Sequence, residues 1–340
     1  MVRRIRRRRA VVLLVALLAS SIAGPVHAQA PEEIQAALDA AYEKYRGLTE
    51  GKKADHNPSV AKADPNLFGI ALVTVDGAIY TAGDAASEVS MASISKVFTM
   101  AHVFQESGPE AVRNSIGVDA TGEAYNSIVA IERNGGEEMN PMVNAGAIAT
   151  TAMVKGETKE EIWDNLLRTF SDFAGRQLSM NEEVYRADSS TNRRNQAIAA
   201  LMQVYGRIRK DPMQACDLYT RHCAISVNVR DLAVMAGTLA NFGQNPITGI
   251  QVLDAEHVPE VLAVMATAGM YDDAGQWLFD TGLPAKSGVS GGIIALSPGK
   301  FGIAAISPPL DGAGNSVRGQ KAIAEISDAL GGNPYARPAR

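Results

Sequence analysis

Cysteine is scarce in this chain: Cys216 and Cys223 are the only two among 340 residues. They lie two helical turns apart in a stretch with a helical pattern, which separates their Cα atoms by about 10 Å, beyond disulfide reach. A disulfide-stapled scaffold is therefore excluded, and both thiols read as buried small hydrophobes. A basic surplus is also missing, since 32 Lys and Arg face 37 Asp and Glu for a net charge of −5. Six of the arginines fall within residues 1–28, which hold no acid, so the rest of the chain carries −11. Such a balance offers no electrostatic footprint to nucleic acid or an anionic membrane. No segment reaches the roughly 18 unbroken apolar residues of a membrane-spanning helix. Common cofactor signatures are missing too: there is no GxxxxGK[ST], no GxGxxG between a strand and a helix, no HExxH and no paired CxxC. Beyond residue 28 the histidines are His56, His102, His222 and His257. None is spaced as a metal cluster, and without a GxSxG elbow no obvious motif supports a Ser-His-Asp triad. No cofactor and no metal are expected.

The N-terminus has the three parts of a secretory leader. A basic stretch at residues 3–9 precedes an apolar run from Ala10 to Ala19, and Val26-His27-Ala28 fits a small-residue cleavage site. Residues 1–28 are thus expected to be a signal peptide, with the mature protein exported, periplasmic or secreted, and without stable membrane association once it is removed. The remaining 29–340 region, about 310 residues and nearly half apolar, is long enough to bury a sizeable core in one large domain or two interlocked ones.

Hydrophobic periodicity outlines the organisation. Residues 31–46 place Ile34, Ala37, Leu38, Ala41 and Tyr45 at helical spacing. Two β-rich runs, Phe68 to Val75 and Ala78 to Ala82, flank Asp76-Gly77 and predict a tight hairpin. After Asp84 the pattern turns helical, with Ile94, Val97, Phe98, Ala101 and Phe104 on one face and Gly108 as a stop. Further helices are expected at 195–206, 229–242 and 255–268. Two strands near 290–297 and 301–307 surround Pro298-Gly299, and a helix at 316–330 closes the chain. Strands at both ends with helices between them predict an α+β fold. The sheet subdomain would comprise about 40–92 and 282–335, with a helical subdomain of about 93–281 inserted.

Against the missing motifs, Ser93-Ile94-Ser95-Lys96 stands out. Residues three apart share a helix face, with Cβ atoms about 5–6 Å apart, so a neutral Lys96 amine can take the proton of the Ser93 hydroxyl. Neutrality requires a depressed pKa, from burial or a second nearby cation. Lys286, in Lys286-Ser287-Gly288, is the candidate second cation. Backbone N–H groups at the helix start and on a strand edge are candidates for an oxyanion hole. The bland alternative makes Ser93 a helix N-cap and Lys96 a solvated helix residue, and Ser59 to Lys62 repeats the same spacing. What favours the chemical reading is the order of hairpin, SxxK helix, helical insertion, KSG and final strands.

In these residues the chain resembles the bacterial glutaminases of the serine β-lactamase-like superfamily, from about residue 40 to 330. The matching stretches are TVDG (74–77), SISKVFT (93–99), YNSIVA (125–130), NPMVNAGAIAT (140–150), RRNQAIA (193–199), DLYTRHC (217–223), RDLAVM (230–235), MATAGMYD (265–272), GLPAKSGVSGGI (282–293) and SPPLDGAGNS (307–316). The resemblance implies a β-lactamase/transpeptidase-like fold and hydrolysis of L-glutamine to L-glutamate and ammonia through an acyl-serine. Ser93 would be the nucleophile and Lys96 its base, with Lys286, Ser287 and Gly288 in support. Glutamine contacts would fall to Ser93, Asn144, Asp188, Asn195, Tyr219, Tyr271 and Val289. Tyr219 and Tyr271 would also relay a proton to departing ammonia, and the Ser93 and Val289 amides would form the oxyanion hole. A homodimer or homotetramer is implied as well. The chemistry agrees, since a zwitterionic amino acid needs a carboxylate for its ammonium (Asp188) and donors for its α-carboxylate (Asn144, Asn195 or a Tyr hydroxyl). Taken singly, the asparagines also read as helix caps and the tyrosines as core aromatics.

Three positions depart from the family pattern: Ala92 replaces a usual Gln, Asp188 a usual Glu, and His56 a usual Tyr. An acyl-serine hydrolase of another amide, or an amino-acid binder without turnover, are the competing readings. Fold alone does not separate them.

Overall fold

The computed structural model describes residues 30–54 and 58–336. The expected leader at 1–28 and His56 lie outside the described residues. In chain order, α1 (Pro31–Tyr45) and α2 (Pro58–Ala61) precede the hairpin of β1 (Gly69–Thr74) and β2 (Ile79–Gly83). The two-residue strand β3 (Val89–Ser90) leads through a 3-10 turn, Ala92–Ile94, into α3 (Ser95–Ser107). Next come α4 (Pro109–Ser115), α5 (Ile128–Asn134), α6 (Asn144–Met153), α7 (Lys159–Ala174), α8 (Glu182–Thr191), α9 (Arg193–Val204) and α10 (Pro212–Cys223). Strand β4 (Ser226–Val227) is followed by α11 (Val229–Ala240), α12 (Val258–Ala268) and α13 (Ala274–Thr281). Strands β5 (Ala285–Ser287), β6 (Gly292–Ser297) and β7 (Phe301–Ile306), then α14 (Val317–Ala329), complete the fold.

The main sheet has the order β2-β1-β7-β6-β5, and every pairing in it is antiparallel. Leu72 of β1 pairs with Ile303 of β7, which in turn pairs with Ala295 of β6. The start and the end of the chain thus meet in one sheet, as the strand pattern predicts. Its hairpin turns through Val75-Asp76-Gly77, where Gly77 supplies the left-handed residue at φ 91°, the position a three-residue hairpin loop reserves for glycine. The antiparallel sheet with its many helices is the expected α+β architecture.

Alternation along the strands divides two cores. Ile70, Leu72, Ile293, Ala295, Ile303 and Ala305 face α1 and α14, meeting Leu38, Ala41, Ile323 and Ile326. Their neighbours Ala71, Val73, Ile294, Leu296, Ala304 and Ile306 face the other way, onto a second core that includes Leu232, Ala233 and Ala236 of α11. Because both faces are covered, the strands read as nearly unbroken apolar runs rather than a polar alternation. The second core continues into α3, α6, α7 and α10 through Phe98, Ile148, Phe170 and Leu218. Helix α11 therefore joins the sheet to the helical layer, although it comes from the helical stretch of the sequence.

The expected long helices are present with ends shifted by a few residues. The largest shift is at 255–268, where Ala255–His257 forms a 3-10 turn and Val258–Ala268 the α-helix. Strands β3, β4 and β5 escape sequence reading because two or three residues carry no periodicity. The 3-10 turn is a correction: Ser93 sits inside it, makes no side-chain capping bond, and the α-helix begins at Ser95.

Helix α11 approaches the sheet closely at Gly302 of β7, where a Cβ would collide with the backbone of Ala236 and Gly237. Overpacking a tight interior position costs about 1–3 kcal/mol or more. Gly302→Ala is therefore expected to lower the thermal unfolding midpoint by several degrees. Gly312→Ala, where a Cβ meets nothing within 4 Å, should leave it unchanged. Equal midpoints for the two variants would contradict the packing argument.

Candidate active site

The 3-10 turn and the first turn of α3 bring Ser93 and Lys96 to the floor of a cleft of about 260 Å³. Ser93 lines it and is 7% exposed; Lys96 lies beneath, 1% exposed. Ala92, just before the nucleophile, adopts φ 48°, and Tyr271, whose hydroxyl interacts with Ser93, adopts φ 56°. A left-handed non-glycine residue costs of order 1–3 kcal/mol and persists where surrounding structure imposes it. Both positions border the same serine.

Lys96 is the electrostatic centre of the site. Its Nζ donates to Met142 O at 3.2 Å and to Asn144 Oδ1 at 2.7 Å. Burial lowers its pKa to about 7, slightly opposed by the Cys223 thiol. A neutral lysine amine has two N–H groups and one lone pair. With both N–H groups held by carbonyl oxygens, the lone pair is left for the serine proton. Lys286 is buried and depressed well below the usual lysine value, first by burial and then by the Lys96 charge. Burial is the largest cause of the Lys96 depression, so the lysine does not need a second cation to be held low. Instead Lys286 Nζ donates to Gly269 O at 2.9 Å and Ser287 O at 2.6 Å, and lies 4.0 Å from the Tyr271 ring centroid. The Tyr271 hydroxyl donates to the same Ser287 carbonyl at 3.2 Å. Lys286 thus braces Tyr271 against β5.

Asn144 joins three elements. At the start of α6, its amide N–H donates to Tyr125 O at 2.8 Å. Its Oδ1 accepts from Lys96 and from the Tyr219 hydroxyl at 3.2 Å, and its Nδ2 donates to Asn195 Oδ1 at 2.9 Å. This donor count fixes which way the amide points. Helix α10 supplies Tyr219 and, one turn on, Cys223, both lining the cleft. Cys223 is partly exposed, unlike the fully buried residue expected from sequence, because it sits on the cleft face of α10. Burial raises the phenols of Tyr219 and Tyr271 well above the usual tyrosine value. Both therefore stay protonated and able to donate, and the Tyr271 hydroxyl lies within hydrogen-bonding reach of Ser93.

The opposite lip is the turn after β5. A Cβ on Gly288 would lie 3.4 Å from Ser93 N and 3.1 Å from Met91 O, so the bare glycine lets this turn approach the nucleophile. Among the described residues, neither the Ser93 N–H nor the Val289 N–H has a hydrogen-bond acceptor, and both residues line the cleft. Two unpaired amides at one serine are what a developing oxyanion needs. Asp188 of α8 and Asn195 of α9 complete the wall. Of the expected contact residues, Ser93, Asn144, Asp188, Asn195, Tyr219 and Val289 line one cleft, and Tyr271 is buried outside its lining. Sequence reasoning gave no role to Tyr125, Asn126, Asn192 or Arg194, which also line it. The first two fall in the matched YNSIVA stretch and the others at the start of α9. A possible ligand grouping of Asp254, Glu256 and His257 exists among the described residues, but none of the three lines the cleft.

Comparison with known proteins gives the family. The glutaminase family model matches residues 51–335. The chain belongs to the glutaminase family. A glutaminase of Mycobacterium ulcerans (strain Agy99) is 50% identical over 296 residues, covering 87% of this chain and 92% of that protein. Among solved structures, the probable glutaminase ybaS has a TM-score of 0.89 at 44% identity, covering 91% of this chain and all of the other. A structure of Mglu in its glutamate form has a TM-score of 0.85 at 36% identity, covering 92% of this chain and 71% of its own. The β-lactamase-like superfamily assignment accompanies membership of the bacterial glutaminases.

The lysine environment sets a pH dependence for this glutaminase. Below about pH 7 Lys96 is an ammonium without a lone pair, and above it the base is free. Sulfonylation of Ser93 by phenylmethanesulfonyl fluoride should therefore quicken with pH and level off above a midpoint near 7. A rate that is flat from pH 5 to 9 would remove Lys96 as the base.

Proposed function

We propose that the protein hydrolyses the side-chain amide of L-glutamine through an acyl-serine on Ser93. Lys96 takes the hydroxyl proton as Ser93 Oγ attacks the carboxamide carbon. The tetrahedral oxyanion faces the amides of Ser93 and Val289. Collapse breaks the C–N bond, and ammonia leaves with a proton relayed from Lys96 through the hydroxyls of Tyr219 and Tyr271. Water then attacks the acyl-serine, with Lys96 again accepting the proton and returning it to Ser93 Oγ as L-glutamate is released. The observation that carries this reading is the buried Lys96 amine, held by Met142 and Asn144 beside a serine with two unpaired amides.

Asp188 takes the α-ammonium in this reading; its shorter side chain is the departure that bears on affinity. The related Mglu protein was solved in its glutamate form, which supports glutamate as the leaving product here. We also infer export, from the leader pattern at residues 1–28, and assembly as a homodimer or homotetramer, from the family resemblance. Among the described residues no helix is long and apolar enough to cross a membrane.

The deciding experiment is ammonia release from L-glutamine by the mature protein. Turnover is expected with L-glutamine, none with L-asparagine, and a loss of at least about 10³-fold in Ser93→Ala. A folded wild-type protein without turnover would replace this reading with amino-acid binding or another amide. Gly288→Ala, which crowds the Ser93 amide, should lower kcat by about 10²-fold, the cost of one lost oxyanion donor, with a smaller change in KM. An unchanged kcat would move the oxyanion site elsewhere.

A further inference from the structure

His222 is fully buried in α10, one residue before the cleft-lining Cys223, and the acyl-serine chemistry above gives it no part. Its ring meets Tyr219 edge-on at 5.2 Å between centroids and stacks on Phe170 at 5.9 Å. Although packed among aromatics, both of its nitrogens are engaged. Nδ1 lies 2.8 Å from Ser95 Oγ, and Nε2 lies 3.2 Å from Thr151 Oγ1. Ser95 and Thr151 are buried as well. In a polar chain cut off from water, each member dictates the orientation of the next.

The near end of this chain stops at the nucleophile turn. Ser95 stands between Ser93 and Lys96 in sequence but does not line the cleft, and its hydroxyl donates to Ala92 O at 2.6 Å. That carbonyl belongs to the same planar trans peptide as the Ser93 N–H, so the two point in opposite directions and move as one. Ser93 N–H is the amide without an acceptor that faces the cleft as half of the oxyanion site. Ala92, at φ 48°, holds the peptide in an orientation that a non-glycine residue keeps only under restraint. The Ser95 N–H also reaches Ala92 O as part of the 3-10 turn. The Ser95 hydroxyl is the restraint that links the turn to another helix.

We propose that His222 is a positioning residue for the oxyanion site. Its Nδ1–H fixes the Ser95 hydroxyl, the hydroxyl fixes Ala92 O, and the shared peptide plane aims the Ser93 N–H at the developing charge. A hydroxyl has one hydrogen, so Ser95, donating to Ala92 O, accepts from the ring. Thr151 Oγ1, which lies 2.8 Å from Ala147 O, then gives its hydrogen to Nε2. This deepens the acyl-serine reading above and rests on it.

The test separates the two ring nitrogens. An asparagine amide ends at the level of Nδ1 and a glutamine amide at the level of Nε2, and both lose the ring's packing on Phe170 and Tyr219. His222→Asn is therefore expected to keep kcat on L-glutamine within about fivefold of the wild type. His222→Gln should lose about 10- to 100-fold, part of what a whole oxyanion donor contributes. KM should move by less than about threefold in both, because the contact strengthens only in the transition state. Ser95→Ala should match the glutamine variant, and combining the two should cost little more than either alone. Sulfonylation of Ser93 should rank the variants in the same order. Its midpoint near pH 7 should stay in place, because a neutral ring adds no charge beside Lys96. Equal losses in His222→Asn and His222→Gln, with folding verified by thermal midpoints, reduce His222 to packing and overturn the proposal, as does full additivity with Ser95→Ala. If neither His222 variant folds, Ser95→Ala decides, and an unchanged kcat there overturns it. A wild type that does not turn over L-glutamine overturns the glutaminase reading instead, and the sulfonylation ranking still decides the role of His222.

Discussion

The short hydrogen bond from Lys96 Nζ to Asn144 Oδ1, 2.7 Å long and buried, is the constraint on which the candidate site depends. A lysine amine removed from water must find acceptors or lose its proton, and here both happen. Met142 O and Asn144 Oδ1 receive its hydrogens, and desolvation brings its pKa to about 7. The same Asn144 oxygen accepts from Tyr219, and its nitrogen reaches Asn195. One asparagine thus ties the SxxK helix to α10 and α9. In such a network each member's orientation is dictated by the others.

Much of the remaining architecture supplies walls for that network. The sheet carries β5, whose Ser287 carbonyl anchors both Tyr271 and Lys286. Behind the serine, a buried polar chain supports the turn. Ser95 Oγ donates to the carbonyl of left-handed Ala92 at 2.6 Å, and His222 Nδ1 meets Ser95 Oγ at 2.8 Å. Burial, then the Lys96 charge, lowers His222 to about 3, so the ring is neutral there, between the hydroxyls of Ser95 and Thr151. The backbone strain at Ala92 is therefore held by hydrogen bonds that reach α10. Ala92 itself has no side-chain hydrogen bond to offer.

Charge placement around the cleft follows a different logic from charge placement for stability. Arg176 and Asp231 pair at the start of α11, where the Asp also completes a capping box with Asn228. That is the favourable arrangement for a helix start. Helices α8 and α9 do the reverse where they border the cavity, with Asp188 in the last turn of the one and Arg193 and Arg194 in the first turn of the other. Stability given up locally is offset by the large core that the two sheet faces share with the helices.

Periodicity and turn chemistry alone determined the long helices, the Asp76-Gly77 hairpin and the final strand pair, because each follows from short-range sterics and from which side chains avoid water. The order of motifs also determined Ser93 and Lys96 as nucleophile and base candidates. Only the tertiary structure decided that β1 pairs with β7, that Lys286 packs on the Tyr271 ring, and that Cys223 faces the cleft. It alone placed Arg194 beside Asp188 in one cavity. These depend on contacts between residues far apart in the chain, and on desolvation, which exists only once the core has closed around the lysine. No local pattern encodes either quantity, since each arises from packing among segments that are strangers in sequence.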